Sequence, residues 1–182
     1  MYFKNFPTII YDAVGNGEFK DVKNLLRRVA IRAKVKTNTL LYDTYDVREG
    51  ESPESIADKM YDDPELHWIV LLVNDITDRY HQWPMNFSQF NQFIADKYDD
   101  VDGTHHYEVA QSSGSSTTKI EVYNNSALYS GDDDFYNNAT AITNIEYEET
   151  QQDIKRKIRL LDPRYIEDFV EEYINLMNET SI

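Results

Sequence analysis

Tyr45-Asp-Val-Arg-Glu-Gly-Glu-Ser-Pro-Glu-Ser-Ile-Ala-Asp-Lys-Met-Tyr61 runs directly into Asp62-Asp-Pro-Glu-Leu-His-Trp-Ile-Val-Leu-Leu-Val-Asn74. The first half reads as the end of a strand, a tight turn at Gly50 and a capped helix. Ser52 supplies an N-cap oxygen, Pro53 presets the first helical residue, and Glu54 lies near the positive end of the helix dipole. Ile56, Ala57 and Met60 form the buried side. Asp63-Pro64-Glu65 repeats the start signal for a second helix, and Asn74 is its stop. From Leu66 to Val73 every residue except His67 is apolar. Such a helix must be covered on several sides, and a unit of this size cannot easily do so alone. The rest of the chain, or another protein, is expected to cover Trp68, Ile69 and Leu72.

Towards the N-terminus, residues 39–48 read as a strand rich in Tyr, Thr and Val. Phe6–Tyr11 reads as a short extended segment and Asn16-Gly17 as a turn. Val22, Leu25, Leu26 and Val29 follow helical spacing, which predicts an amphipathic helix from Phe19. Its other face would carry Lys20, Lys23, Arg27 and Arg28. Seven of the 18 basic residues lie between positions 20 and 36, with Asp21 as the one acid among them. This patch is either a solvated helix face or a docking surface for something acidic, with Arg27 and Arg28 as the candidates.

Towards the C-terminus, Arg79–Pro84 is an aromatic connector that contains Trp83, a further candidate for a protein interface. Ser88 is the expected N-cap of a third helix burying Phe90, Phe93, Ile94 and Tyr98. Thr104–Ala110 and Thr117–Tyr123 read as paired strands around a Ser- and Gly-rich loop at 111–116. Ser130–Asp134 reads as an exposed turn. Ala141–Tyr147 and Arg156–Leu161 have extended patterns. Asp162 and Pro163 then open a terminal helix whose stripe is Ile166, Phe169, Val170, Tyr173, Ile174 and Met177. Its outer face carries Glu167, Asp168, Glu171 and Glu172. Phe169 and Tyr173 are its interface candidates.

The composition narrows the function. The net charge is −15, which repels nucleic acid and anionic lipid, so neither is an expected partner. No apolar run reaches the roughly 20 residues that span a bilayer, and the N-terminal residues lack a signal-peptide pattern, so a cytoplasmic origin is the default. With no cysteine, disulfides and thiolate metal sites are excluded. Fourteen tyrosines suit a half-buried sheet surface or extensive protein contact.

No catalytic constellation emerges. Gly15-Asn-Gly17 lacks the rest of a phosphate-binding fingerprint, and neither a nucleophile elbow nor a His-Glu-x-x-His motif occurs. His105-His106 lies beside Asp99, Asp100 and Asp102, but neighbours on a strand point to opposite faces, so the two rings are not expected to share an ion. Asp132-Asp-Asp134 lacks the spacing of a calcium loop. No catalytic residue, metal or cofactor is expected.

The opening stretch resembles a LysM-like unit, a small module that binds glycans or proteins. Together with Gln82-Trp83-Pro84, Ile145-Glu-Tyr-Glu-Glu149 and Lys155-Arg-Lys-Ile-Arg-Leu-Leu-Asp-Pro-Arg-Tyr165, it resembles the small baseplate wedge protein of T-even and related contractile-tailed bacteriophages. The resemblance covers nearly the whole chain. It implies a non-enzymatic virion protein that contacts other wedge subunits, joins wedges around a central hub, and passes through the host cytoplasm during assembly. Many copies would occupy a symmetric particle.

The expected fold is α+β, with four segments. These are an N-terminal extension with the basic helix (1–42), a LysM-like unit (43–98), a β-rich extension with a hairpin (99–162) and a terminal helix (163–182). The usual Gly-Asp-Thr turn of glycan-binding LysM units is Gly50-Glu51-Ser52 here, and Asp75–Tyr80 stands where the second strand is usual. Glycan binding is therefore not expected. The rival readings are a peptidoglycan-binding or cell-wall-degrading tail protein, and a host cytoplasmic adaptor.

Overall fold

The computed structural model of the chain describes residues 2–27, 29–31, 39–110, 119–122 and 139–178. The fold is α+β, with helices and small antiparallel sheets. It divides into two compact units, residues 1–83 with 156–182, and residues 84–155. This division differs from the expected four segments in chain order. A strand near the C-terminus pairs with a strand near the N-terminus, which binds distant segments into one unit.

That unit is built on strand β3 (Tyr42–Asp46), helices α1 (Pro53–Tyr61) and α2 (His67–Val73), and strand β7 (Lys157–Leu161). β3 and β7 pair antiparallel, Tyr42 opposite Leu161 and Asp46 opposite Lys157. α1 starts where its residues dictate. Ser52 caps it, and its hydroxyl and the Ser55 hydroxyl satisfy each other's backbone N–H groups. Asp63 caps the helical turn Pro64–Leu66 that leads into α2. The short helix α3 (Arg79–Gln82) lies within the predicted aromatic connector, capped by Asp78.

Two hydrophobic clusters result. Val47, Ile56, Ala57, Val70, Trp83, Ile158 and Leu160 fill the space between the helix pair and the sheet. Phe6, Trp68, Ile69, Val73, Leu161, Tyr173 and Met177 form the second cluster. Its last two members come from helix α6 (Ile166–Asn178), which follows a helical turn capped by Asp162. The over-apolar α2 is thus covered by this chain, with the sheet on one side and α6 on another. The apolar stripe of α6 faces inward as its spacing predicts, and Glu167, Asp168, Glu171 and Glu172 are exposed.

The amphipathic helix expected from Phe19 does not form. Strand β2 (Lys20–Lys23) pairs antiparallel with β1 (Thr8–Tyr11) instead. The connecting loop decides this. The Asp12 carboxylate accepts hydrogen bonds from the backbone N–H groups of Val14, Gly15, Asn16 and Gly17. Gly15 and Gly17 take positive φ, which their lack of a Cβ permits. The chain therefore reverses before Phe19 and delivers Lys20–Lys23 beside β1. Arg28, residues 32–38, the Ser- and Gly-rich loop and the 130–134 turn lie outside the described residues.

The second unit contains α4 (Phe87–Lys97), β4 (Thr104–Ala110), β5 (Lys119–Val122), β6 (Thr140–Thr143) and most of α5 (Asn144–Arg156), with sheet order β5-β4-β6. Asn86, not Ser88, caps α4, because the Gln89 side chain three residues on returns the bond to its N–H. The extended pattern predicted through Tyr147 stops at Thr143. Glu146 accepts the Thr143 N–H and the Thr143 hydroxyl accepts from the Glu146 N–H, which starts a helix. Buried Glu148 is paired with Lys97 at 2.5 Å and accepts from the Tyr98 hydroxyl at 2.8 Å. No described helix is long and apolar enough to cross a membrane.

Candidate protein-docking site

The residues singled out in the sequence fall into distinct settings. Trp68 is 8% exposed, and its ring lies 4.4 Å from that of Tyr173 and 6.3 Å from that of Phe169. Ile69 is fully buried, and Leu72 and Phe169 are half-buried at the margin of the same cluster. The structure brings Trp68, Ile69, Phe169 and Tyr173 together, but as a core. Trp83 belongs to the other cluster. Its indole N–H donates to the Glu51 carbonyl at 2.9 Å, which pins the loop before α1. Arg27 donates to the Leu176 carbonyl at 3.0 Å, near the negative end of α6. Arg28 is not among the described residues.

The loop entering α1 is held by charge. Glu51 accepts from the Tyr45 hydroxyl and the Arg48 N–H, with Lys59 at 3.4 Å. Burial raises the Glu51 carboxyl, but these donors outweigh it and hold it below the usual range. The Tyr45 hydroxyl, ahead of the opposing effect of burial, raises Lys59. This network occupies the turn that departs from the glycan-binding pattern. It ties that turn to α1 with side chains that are already satisfied.

Two surface features remain, and sequence reading missed both. The first is a groove of about 380 Å³ between the Pro64–Leu66 turn and α6. Leu66, Ile166, Val170 and Ile174 form its apolar wall, and Glu167, Glu171 and Asn175 line it as well. It continues into a smaller hollow that reaches Lys4 and the edge of Trp68. The helical stripe was legible, but the approach of Leu66 to it is a tertiary event. The second is the β1–β2 hairpin, exposed along both strands, with Ile10 72% and Phe19, in the connecting loop, 66% accessible. Leu26, just beyond it, is 91% exposed. A two-stranded hairpin is marginally stable alone in water, and contiguous exposed apolar side chains mark interaction surfaces.

The histidine pair behaves differently from expectation. A register shift between Thr104 and His106 places an irregularity at His105, and bulges redirect side chains. The two rings therefore converge, with Nδ1 atoms 2.9 Å apart, and His105 stacks on Tyr147 at 3.9 Å. Even so, no described group of three or more His, Cys, Asp or Glu side chains is placed to hold a metal ion.

Comparison with known proteins gives these surfaces a context. The family model described as base plate wedge protein 53 matches residues 1–159. The chain belongs to that family. It is similar to the baseplate wedge protein gp53 of Enterobacteria phage T4, 28% identical over 100 residues. The matched region covers 55% of this chain and 45% of that relative. The chain therefore aligns with less than half the length of the curated relative.

Proposed function

We propose that this chain is a structural, non-enzymatic part of a phage tail baseplate, which holds neighbouring wedge subunits together by protein contact during tail assembly. The observation that carries this reading is the family match across residues 1–159. Its physical support is a chain that covers its own core yet leaves an apolar hairpin and an acidic-edged groove at its surface. Catalysis asks for convergent polar groups in a cleft. The larger groove here is walled mainly by aliphatic side chains. The partners are other wedge subunits, and the working location is the virion baseplate after assembly in the host cytoplasm.

We further propose that the β3-α1-α2-β7 unit is a LysM-like module used for protein contact. Its strand-helix-helix-strand order supports this, with the closing strand supplied from beyond residues 84–155. The occupied Tyr45–Glu51–Lys59 turn argues against a glycan ligand.

The test is co-expression with wedge subunits from the same phage, followed by affinity purification of this chain. The expected result is a stoichiometric complex together with no retention on purified peptidoglycan. A chain that purifies alone and is retained on peptidoglycan overturns the proposal.

A further inference from the structure

The groove beside the Pro64–Leu66 turn has a wall and a rim of different character. Ile166, Val170 and Ile174 fall four residues apart on α6 and form one ridge, and Leu66 completes the wall. All four are half-buried against the core, so each keeps an outward apolar edge. The next row of α6, Glu167, Glu171 and Asn175, lines the same groove and is exposed. Glu167 and Glu171 stand about 6 Å apart along the helix axis. α6 holds four acids and no basic residue. Among the described residues no cation pairs with Glu167 or Glu171. In the adjoining hollow Asp63 and Glu65 outnumber Lys4.

We propose that this groove receives a cationic amphipathic helix of another wedge subunit. Its aliphatic stripe lies on the Ile166–Val170–Ile174 ridge, and two Lys or Arg side chains four residues apart meet Glu167 and Glu171. The inference rests on the reading of the chain as a wedge-contacting protein.

Geometry and charge select this occupant. A row of side chains four apart is the ridge over which a second helix packs, and an apolar groove takes the apolar face of such a helix. Cations four apart on that helix repeat the spacing of the two carboxylates. A second copy of this chain is disfavoured, because each copy carries net charge −15. The exposed ion pairs would set partner choice and association rate, while the aliphatic contact holds the complex.

For the test, Asn175→Cys, altered at an exposed groove position of a cysteine-free chain, is labelled with a maleimide benzophenone. The full chain is mixed with the wedge subunits of the same phage. Affinity purification shows whether a complex forms, and photolysis with mass spectrometry maps the linked segment. The expected segment belongs to a different subunit and carries Lys or Arg four residues apart beside an aliphatic stripe. Glu167→Lys with Glu171→Lys should weaken the complex about tenfold at about 0.15 M ionic strength, and much less at about 1 M. Asp168→Lys with Glu172→Lys makes the same charge change on α6 outside the groove lining. It should shift affinity by less than about twofold. Reversing the segment's two cations to Glu should restore binding to the Glu167→Lys, Glu171→Lys protein. Circular dichroism checks that each variant keeps its fold. A complex whose links fall only on a second copy, on the chain itself or on a segment without such cations overturns the inference and leaves the assembly reading standing. Equal weakening by the two charge changes does the same. Failure of any complex to form overturns both.

Discussion

Asn74 joins two elements that are far apart in sequence. Its amide nitrogen donates to the Val70 carbonyl at 2.8 Å and to the Arg159 carbonyl at 2.7 Å, while its oxygen accepts the Arg159 N–H at 2.8 Å. One side chain thus ends α2 and satisfies the edge of β7. Asn74→Asp keeps the shape but removes both donors and sets a carboxylate against two carbonyl oxygens. Loss of buried hydrogen bonds costs about 1–3 kcal/mol per orphaned group, so denaturant unfolding should show a loss of at least that size. Trp68 has another role, as packing volume between α2 and α6. Trp68→Ala should cost about 3–5 kcal/mol, read from the same denaturant curves. Unchanged curves would mean that the ring is not held in the core. His105 adds a pH dependence. Burial, and then its neighbour His106, lower its pKa below the ordinary 6.5. The folded state therefore prefers neutral His105, and the unfolded chain takes up its proton first as pH falls. Stability should be full above pH 6.5 and decline from there down through the folded pKa. The contact between the two Nδ1 atoms also requires one bare nitrogen, which double protonation removes. Melting curves above and below pH 6.5, compared with His105→Gln, check this, and the variant should flatten the decline.

At the scale of elements, the N-terminal hairpin depends on its loop more than on its strands. Four backbone N–H groups converge on Asp12, and those donors, Gly17 foremost, keep its carboxyl below the usual range against the opposing effect of burial. Asp12→Ala should release the loop and raise hydrogen exchange in Thr8–Tyr11 and Lys20–Lys23, leaving α1, α2 and α6 as protected as before. Uniform loss of protection would show instead that the hairpin supports the core. This loop also marks where sequence reading stops working. Val22, Leu25, Leu26 and Val29 satisfy helical spacing, but four residues are a short sample, and reversal by Asp12 and two glycines outweighs it. Helices with explicit start signals, Ser52-Pro53 and Asp162-Pro163, were legible because capping is local. α5 carried such a signal too, Thr143-x-x-Glu146, hidden beneath a polar sequence and a run of β-formers at 140–143. The convergence of His105 and His106 had no readable cue, since a one-residue register shift is set by pairing with β6. The meeting of Trp68 with Phe169 and Tyr173 has no local cue for a similar reason. Apolar character identifies what must be covered, but the covering surface here, α6 against Trp68, comes from a hundred residues further on.

For the whole molecule, the pairing of β3 with β7 has a consequence for independence. Residues 84–155 form a compact unit of their own, and they leave and re-enter the first unit at Trp83 and Arg156. Trp83 and Ile158 lie in one hydrophobic cluster, so the two ends of the excursion are close in space. Every member of both main hydrophobic clusters belongs to the first unit. Its sheet, both ends of α2 and the Asn74 staple are likewise contained within it. Domain insertions are tolerated where the ends of the inserted segment meet at a short span. Replacing residues 84–155 by a flexible Gly-Ser linker should therefore leave a folded protein with a cooperative melt and a buried Trp68, seen as blue-shifted fluorescence against the Trp68→Phe control. The closure entropy favours this, since a short loop costs less to close than a long one. If the shortened chain instead melts without cooperativity, β7 does not find β3 unaided. The second unit would then have to be counted as part of the first unit's folding rather than as an insertion carried by it.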